Sequence, residues 1–165
     1  MPGTLYVVAT PIGNLEDVTL RAARVLGEVS LIAAEDTRKA RVLLSRYAIQ
    51  TPVRSYHEQG ARSQAQALMR LLADKDVALI SEAGMPSISD PGYGLVRAAI
   101  DAGYRVETVP GPSALTAAIA VSGLPTDQFV FLGFLPRTAG QRRRSLTSVR
   151  QEPRTLIALE APHRL

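Results

Sequence analysis

The chain has 165 residues, 46% of them apolar, with three Phe, five Tyr, no Trp and a net charge of +4. That is enough for one ordinary domain, or for one and part of another, and the aliphatic composition describes a soluble α/β interior rather than a disordered chain. No apolar run approaches the roughly 18 to 20 residues of a membrane span. The opening Met-Pro-Gly-Thr carries no basic flank, so a cytoplasmic address without signal or transit peptide is expected. The absence of cysteine excludes disulfides, thiolate zinc sites and a cysteine nucleophile, and two isolated histidines, His57 and His163, argue against a metal.

In chain order, Leu5 to Ala9 reads as a short buried strand, followed by an apolar-periodic helix over Thr19 to Leu26 with Gly27 as its stop. Val29 to Ala34 is a second strand. Asp36 or Thr37 caps a helix running to Tyr47, with Val42, Leu43 and Leu44 on its buried side, until Pro52 breaks the pattern. A strand over Val53 to Tyr56, a helix over Ser63 to Ala73, a strand over Val77 to Ser81 and a helix over Gly94 to Ala102, ended by Gly103, come next. Arg105 to Val109 is a fifth strand, and Ser113 caps the small-residue helix Ala114 to Val121. Five strands alternating with helices predict a mostly parallel sheet with flanking helices.

Ser122-Gly-Leu-Pro-Thr126 is a turn-rich break and marks the expected boundary between a domain over 1–122 and a second segment over 123–165. The charge changes there too. Residues 1–124 hold 12 basic and 12 acidic side chains, whereas residues 125–165 hold 7 basic against 3 acidic. Beyond the break come a strand over Phe129 to Phe134, a basic helical stretch with Arg142, Arg143 and Arg144, and a strand over Thr155 to Leu159. This is too little sequence to bury both faces of a second sheet, so the second α/β domain is expected to be incomplete.

The loops after the strands are the candidate chemistry, because an open α/β sheet places its ligand crevice at the carboxyl ends of its strands. Thr10-Pro-Ile-Gly-Asn14 lacks the spaced glycines of a dinucleotide fingerprint and the Gly-Lys-Ser/Thr of a phosphate loop. Glu82 to Gly92 holds two Gly, two Pro, two Ser and an acid near each end, the composition of a shaped loop. Pro110-Gly-Pro leads to Ser113, where a helix N-terminus could face a ligand or simply carry its cap. Glu35 and Asp36 could pair with Arg38, hold a ligand hydroxyl or accept a proton, and His57-Glu58 could be a polar pair in the same crevice. The arginine run is a solvated helix face or a phosphate contact.

Read jointly, Ala9-Thr-Pro-Ile-Gly-Asn-Leu-Glu-Asp-Val-Thr-Leu-Arg21, Ala34-Glu-Asp-Thr-Arg38, Ser55-Tyr-His-Glu58, Ile88-Ser-Asp-Pro-Gly-Tyr93, Val109-Pro-Gly-Pro-Ser-Ala114 and Ser122-Gly-Leu-Pro-Thr-Asp127 closely resemble the small-subunit rRNA cytidine 2′-O-methyltransferase family of the tetrapyrrole methylase superfamily. Phe131-Leu-Gly-Phe-Leu-Pro136 and Pro162-His-Arg-Leu165 extend the resemblance to the last residue. It implies a two-domain α/β enzyme that binds S-adenosylmethionine between its domains, usually as a homodimer, and methylates a cytidine ribose in 16S rRNA of the small ribosomal subunit. By motif, Pro11, Ile12 and Gly13 look like the first cofactor loop, Ala83, Gly84, Met85 and Pro86 like the second, and Ser113 with Ala114 like the third contact. Arg142, Arg143 and Arg144 are the RNA candidates.

Four positions in two segments depart from the family pattern: Ser81-Glu-Ala-Gly-Met-Pro86 stands where Ser-Asp-Ala-Gly-Thr-Pro is usual, and Leu159-Glu-Ala-Pro-His-Arg164 where Tyr-Glu-Ser-Pro-His-Arg is. A ribose hydroxyl must lose its proton to act as a nucleophile, so a carboxylate or histidine within reach is required. Asp36 and Glu35 are the first candidates, then Glu82 and His57. The competing expectations are methylation of a corrinoid precursor, and a non-catalytic RNA-binding or dimerisation domain.

Overall fold

The structure, a computed structural model, describes residues 1–57, 61–161 and 164. Glu58, Pro162, His163 and Leu165, named above, lie outside them. The chain divides into two compact units, Met1–Ser113 and Ala114–Leu165, so the helix over Ala114 to Val121 groups with the second unit, ahead of the turn-rich break at Ser122.

In the first unit the elements alternate strictly: β1 (Thr4–Val8), α1 (Leu20–Glu28), β2 (Leu31–Ala34), α2 (Thr37–Arg46), β3 (Val53–Ser55), α3 (Ala61–Leu72), β4 (Val77–Ile80), α4 (Tyr93–Asp101) and β5 (Arg105–Val109). All strand pairs are parallel, in the order β3-β2-β4-β1-β5. Every residue of β2 and β4 is buried, as a parallel sheet covered on both faces requires. Helices α1 and α2 cover one face, packing Ala22, Val25, Leu26, Leu43 and Leu44 on Val8, Ile32 and Ile80. Helices α3 and α4 cover the other, with Leu68, Leu72, Leu95 and Ala99 on Leu5, Val77 and Leu79. Each fully buried Leu or Ile of these layers contributes about 1.5–3 kcal/mol.

Two local expectations change. Helix α1 runs through Gly27 to Glu28, held by an Arg24–Glu28 ion pair at 2.7 Å one turn apart and by the Val29 N–H donating to the Val25 carbonyl. On α2 the buried row is Ala40, Leu43 and Leu44, whereas Val42 is 60% exposed: three consecutive residues span most of a helical turn and cannot share one face.

The topology creates the crevice. From β1 the chain crosses the sheet in one direction to β2, and from β4 it crosses in the other direction to β5. Since β1 and β4 are neighbours, the loops leaving them part toward opposite faces, and the gap lies at their carboxyl ends.

The second unit contains α5 (Ala114–Val121), β6 (Phe129–Phe134), α6 (Ala139–Ser148) and β7 (Thr155–Leu159). Strands β6 and β7 pair in parallel with a register shift between Phe131 and Phe134, beside Gly133, giving one β-α-β crossover. Among the described residues no helix is long and apolar enough to cross a membrane.

Candidate functional site

The loops after β1, β4 and β5 meet at one point. Thr10 and Gly84 form an isolated antiparallel bridge across the crevice, each N–H donating to the other's carbonyl at 2.9 Å. Gly84 has φ +78°, and a Cβ there would stand 3.5 Å from Ile12 Cγ2, 3.6 Å from the Pro112 carbonyl oxygen and 3.9 Å from Ser113 Cα. The sequence segments around Pro11–Gly13, Ala83–Pro86 and Ser113 therefore form one cluster, while Ala114 opens α5 in the second unit.

The β4 loop is held in an uncommon shape. Ser87 (φ 69°) and Ser89 (φ 58°) are left-handed, each at a cost of order 1–3 kcal/mol. Pro86 is fully buried. The loop closes at Gly92, with φ +137°, where a Cβ would lie 2.7 Å from Ser87 Oγ and 2.8 Å from Leu79 Cδ2. At its start the Ser81 hydroxyl lies 3.4 and 3.3 Å from the Ala83 and Gly84 carbonyls. These contacts bind the loop's entry and exit into the core, which is what sustains the strained residues between them.

Acidic groups gather beside this cluster, and neighbouring residues differ sharply. Asp36 is the N-cap of α2: its carboxylate accepts from the Arg38 N–H at 2.7 Å and the Lys39 N–H at 3.3 Å, and pairs with the Arg38 guanidinium at 3.2 Å. The Arg38 hydrogen bonds hold its pKa down at about 2. Glu35, one residue earlier, is pushed above the usual carboxylate range by burial and then by the Asp90 and Glu82 carboxylates, with His57 and Lys39 opposing. Burial likewise raises Asp90, against a hydrogen bond from Ser81. Glu82 pairs with Lys39. His57 Nε2 lies 2.5 Å from Ser55 Oγ, and the His57 backbone N–H donates to Gln64 Oε1 at 3.0 Å.

A pocket of about 230 Å³ opens between these groups and α2. Its walls include Pro11, Leu15, Val42, Leu43 and Ile80, with the Lys39–Glu82 pair at the polar side. The structure thus brings Pro11 and Glu82 to one pocket and places Glu35 within reach of the Asp90, Glu82 and His57 side chains. Lys39 escaped the sequence reading, in which Val42 is a core residue and Asp90 only part of a shaped loop. Lys39 had a usable signal, since it falls one turn into a helix that starts at a strand end.

The arginine run separates on inspection. Arg142 donates to the Pro136 and Arg137 carbonyls, both at 3.3 Å, and Arg164 donates to the same Pro136 oxygen at 2.9 Å. Arg142 therefore fastens the β6–α6 turn, whereas Arg143 and Arg144 are exposed.

Residues 4–165 match the family described as Tetrapyrrole (Corrin/Porphyrin) Methylases. The chain is 56% identical to a Pseudomonas aeruginosa protein named ribosomal RNA small subunit methyltransferase I over 164 residues, which are 99% of this chain and 58% of that protein. A Thermotoga maritima protein of the same name is 51% identical over 164 residues, 99% of this chain and 73% of its own length. The chain spans only 58% of the first of these relatives. Among solved structures, a diphthine synthase superposes with a TM-score of 0.75 at 15% identity, covering 96% of this chain and 65% of that one. A uroporphyrin III C-methyl transferase from Thermus thermophilus gives 0.64 at 24% identity, covering 98% and 72%. At such identities the likeness is one of fold.

Proposed function

The chain belongs to the tetrapyrrole methylase family, and on that premise we propose that its strand-end crevice binds S-adenosylmethionine in an enzyme that methylates a cytidine ribose 2′-hydroxyl in 16S rRNA of the small ribosomal subunit. The observation that carries this reading is the meeting of the Pro11–Gly13, Ala83–Pro86 and Ser113 loops around Gly84. The high identity to proteins named as small-subunit rRNA methyltransferases favours RNA over a corrinoid precursor. The same reading takes the working enzyme to be a cytoplasmic homodimer.

The residues present suit this cofactor. The loops offer backbone amides and carbonyls, and the adjoining pocket is mainly apolar. Among the described residues the carboxylates of Glu35, Asp36, Glu82 and Asp90 outnumber the cations beside them, Lys39 and Arg38, a balance that favours a cation such as a sulfonium over a polyphosphate. When bound, S-adenosylmethionine supplies a methyl group activated by the positive charge on sulfur. Pro11 to Gly13, Ala83 to Pro86, and Ser113 with Ala114 are the residues that would hold it.

The protein's part in the chemistry is alignment, exclusion of water and proton acceptance. Alignment of this kind is worth roughly 7–11 kcal/mol of a barrier. Glu35, rather than Asp36, is assigned as acceptor of the ribose hydroxyl proton. Asp36 is already engaged by its cap and by Arg38, and at about 2 its pKa makes it a feeble base. The raised pKa of Glu35 brings its basicity closer to the operating pH, where general-base catalysis is most effective. Pro11, Leu15, Leu43 and Ile80 keep the adjoining pocket apolar.

Incubation of the protein with methyl-labelled S-adenosylmethionine and small ribosomal subunits tests the reading. Label is expected in 16S rRNA as an alkali-resistant cytidine linkage, the mark of a 2′-O-methyl group. Label in a corrinoid precursor instead, or in neither, would overturn it.

A further inference from the structure

Helix α6 carries no acidic residue, and its arginines divide by face. Its half-buried row is Arg142, Ser145 and Val149, spaced i, i+3, i+7, and Arg142 is held there by two backbone carbonyls. The opposite side is exposed. Arg143 lies on it and Arg150 in the turn that follows the helix, and with Ala139, Arg142, Leu146 and Thr147 they line a shallow groove of about 420 Å³. Arg144 adjoins the same exposed side.

The charge on this face is uncompensated. Of the three acids beyond residue 124, Glu152 is bound by Arg154 at 2.6 Å and Glu160 by Arg164 at 3.2 Å. Among the described residues Arg143, Arg144 and Arg150 have no ion-pair partner. Arginine's planar fork matches phosphate oxygens, and a row of such forks one or two turns apart along a rigid helix can engage successive phosphates of a strand. We infer that the exposed face running from α6 into the turn after it, through Arg143, Arg144 and Arg150, is a docking surface for the phosphate backbone of RNA, with the Arg142 guanidinium kept from it by the Pro136 and Arg137 carbonyls. The inference rests on the RNA-methylating reading and assigns a strand-holding surface to it.

Binding of the protein to a 16S rRNA transcript, measured across salt concentrations, tests this. Each phosphate contact contributes about 0.7 to the slope of log K against log salt for single strands and about 0.9 for duplex. The double variant Arg143→Gln/Arg150→Gln should therefore lose about 1.4–1.8 from the slope, equivalent to roughly 15- to 30-fold in affinity at 0.15 M salt. An unrelated RNA of equal length should weaken in parallel, because phosphate contacts carry no sequence information. Arg142→Gln should lower the melting temperature and leave the slope unchanged. Gln is a good helix former, and circular dichroism establishes that each variant is folded.

An unchanged slope in the double variant overturns the inference, as does loss of binding to intact subunits with RNA binding preserved, which would mean a protein partner. In either case methylation by the parent protein would leave the RNA-methylating reading standing. Failure of the parent protein to bind any RNA would remove both.

Discussion

The shape of the β4 loop turns on Gly92, and the same substitution at two glycines should move stability in opposite directions. At Gly92 an alanine must adopt φ +137°, and its Cβ would sit 2.8 Å from Leu79 Cδ2, in the core, and 2.7 Å from Ser87 Oγ. Backbone strain of this kind costs of order 1–3 kcal/mol and overpacking about 1–3 kcal/mol, so Gly92→Ala should destabilise by roughly 2–6 kcal/mol. For a chain of this size each 1 kcal/mol moves the melting temperature by roughly 2–4 °C, which predicts a fall of roughly 5–20 °C. At Gly27, inside α1, nothing lies within 4 Å of an added Cβ. Gly27→Ala should stabilise by about 0.5–1 kcal/mol from helix propensity. Thermal unfolding followed by far-ultraviolet circular dichroism measures both. A Gly92→Ala protein melting within about 2 °C of the parent, set against the 2–4 °C per kcal/mol scale, would refute the packing argument. So would a Gly27→Ala protein less stable than the parent.

Other outcomes follow from the two carboxylates after β2. The folded pKa of Glu35 lies above its ordinary value of 4.5, so the stability linked to its proton is complete below that value and is lost as pH rises through the raised one. Glu35→Gln should thus gain thermal stability over the parent as pH rises, while losing about 10²- to 10⁴-fold in methyl transfer; a pH-independent stability difference, or near-parental turnover, would contradict the assignment. Asp36 has the opposite sign: depressed from 3.8 to about 2, it stabilises above 3.8 and loses that contribution as pH falls through about 2. Asp36→Ala should melt lower than the parent at neutral pH and approach it in strong acid, whereas Asp36→Asn, which can still cap α2, should keep turnover within a few-fold. A hundredfold loss in Asp36→Asn would return the base role to Asp36.

The sheet was legible because its signals are local. Leu-Ile-Ala-Ala and Val-Ala-Leu-Ile are short apolar runs with turn residues nearby, and strands buried on both faces have that composition. Each run is followed by a loop and a helix, which leaves a parallel arrangement as the natural solution. Strand order is another matter. That β4 inserts between β2 and β1 depends on which faces α1 to α4 cover, a property of the packed whole. The switch point, and with it the facing of the Thr10 and Gly84 backbones, could be expected only as a general rule of such sheets. Ser87 and Ser89 were equally hidden, since serine has no special liking for left-handed backbone, and only the anchoring of their loop at Ser81, Pro86 and Gly92 imposes it.

Glu35 and Asp36 show why a site can be found in sequence while its roles stay undetermined. Both are acids at a strand end before a helix, and either could have capped α2 or faced the crevice. The choice is made by where the strand stops. Ala34 still pairs with Ile80 and Ser55, so Glu35 is the first residue released beyond the sheet, beside the carboxylates that follow β4. Asp36 then falls at the position where a side-chain oxygen can accept from the N–H groups two and three residues on, those of Arg38 and Lys39. A shift of one residue in that register would put Glu35 at the cap with Ala34 in its former place, or Asp36 in Glu35's place with Thr37 at the cap. Which of the two is released at the strand end and which caps the helix is thus fixed by where β2 stops against β4, which neither residue's identity encodes.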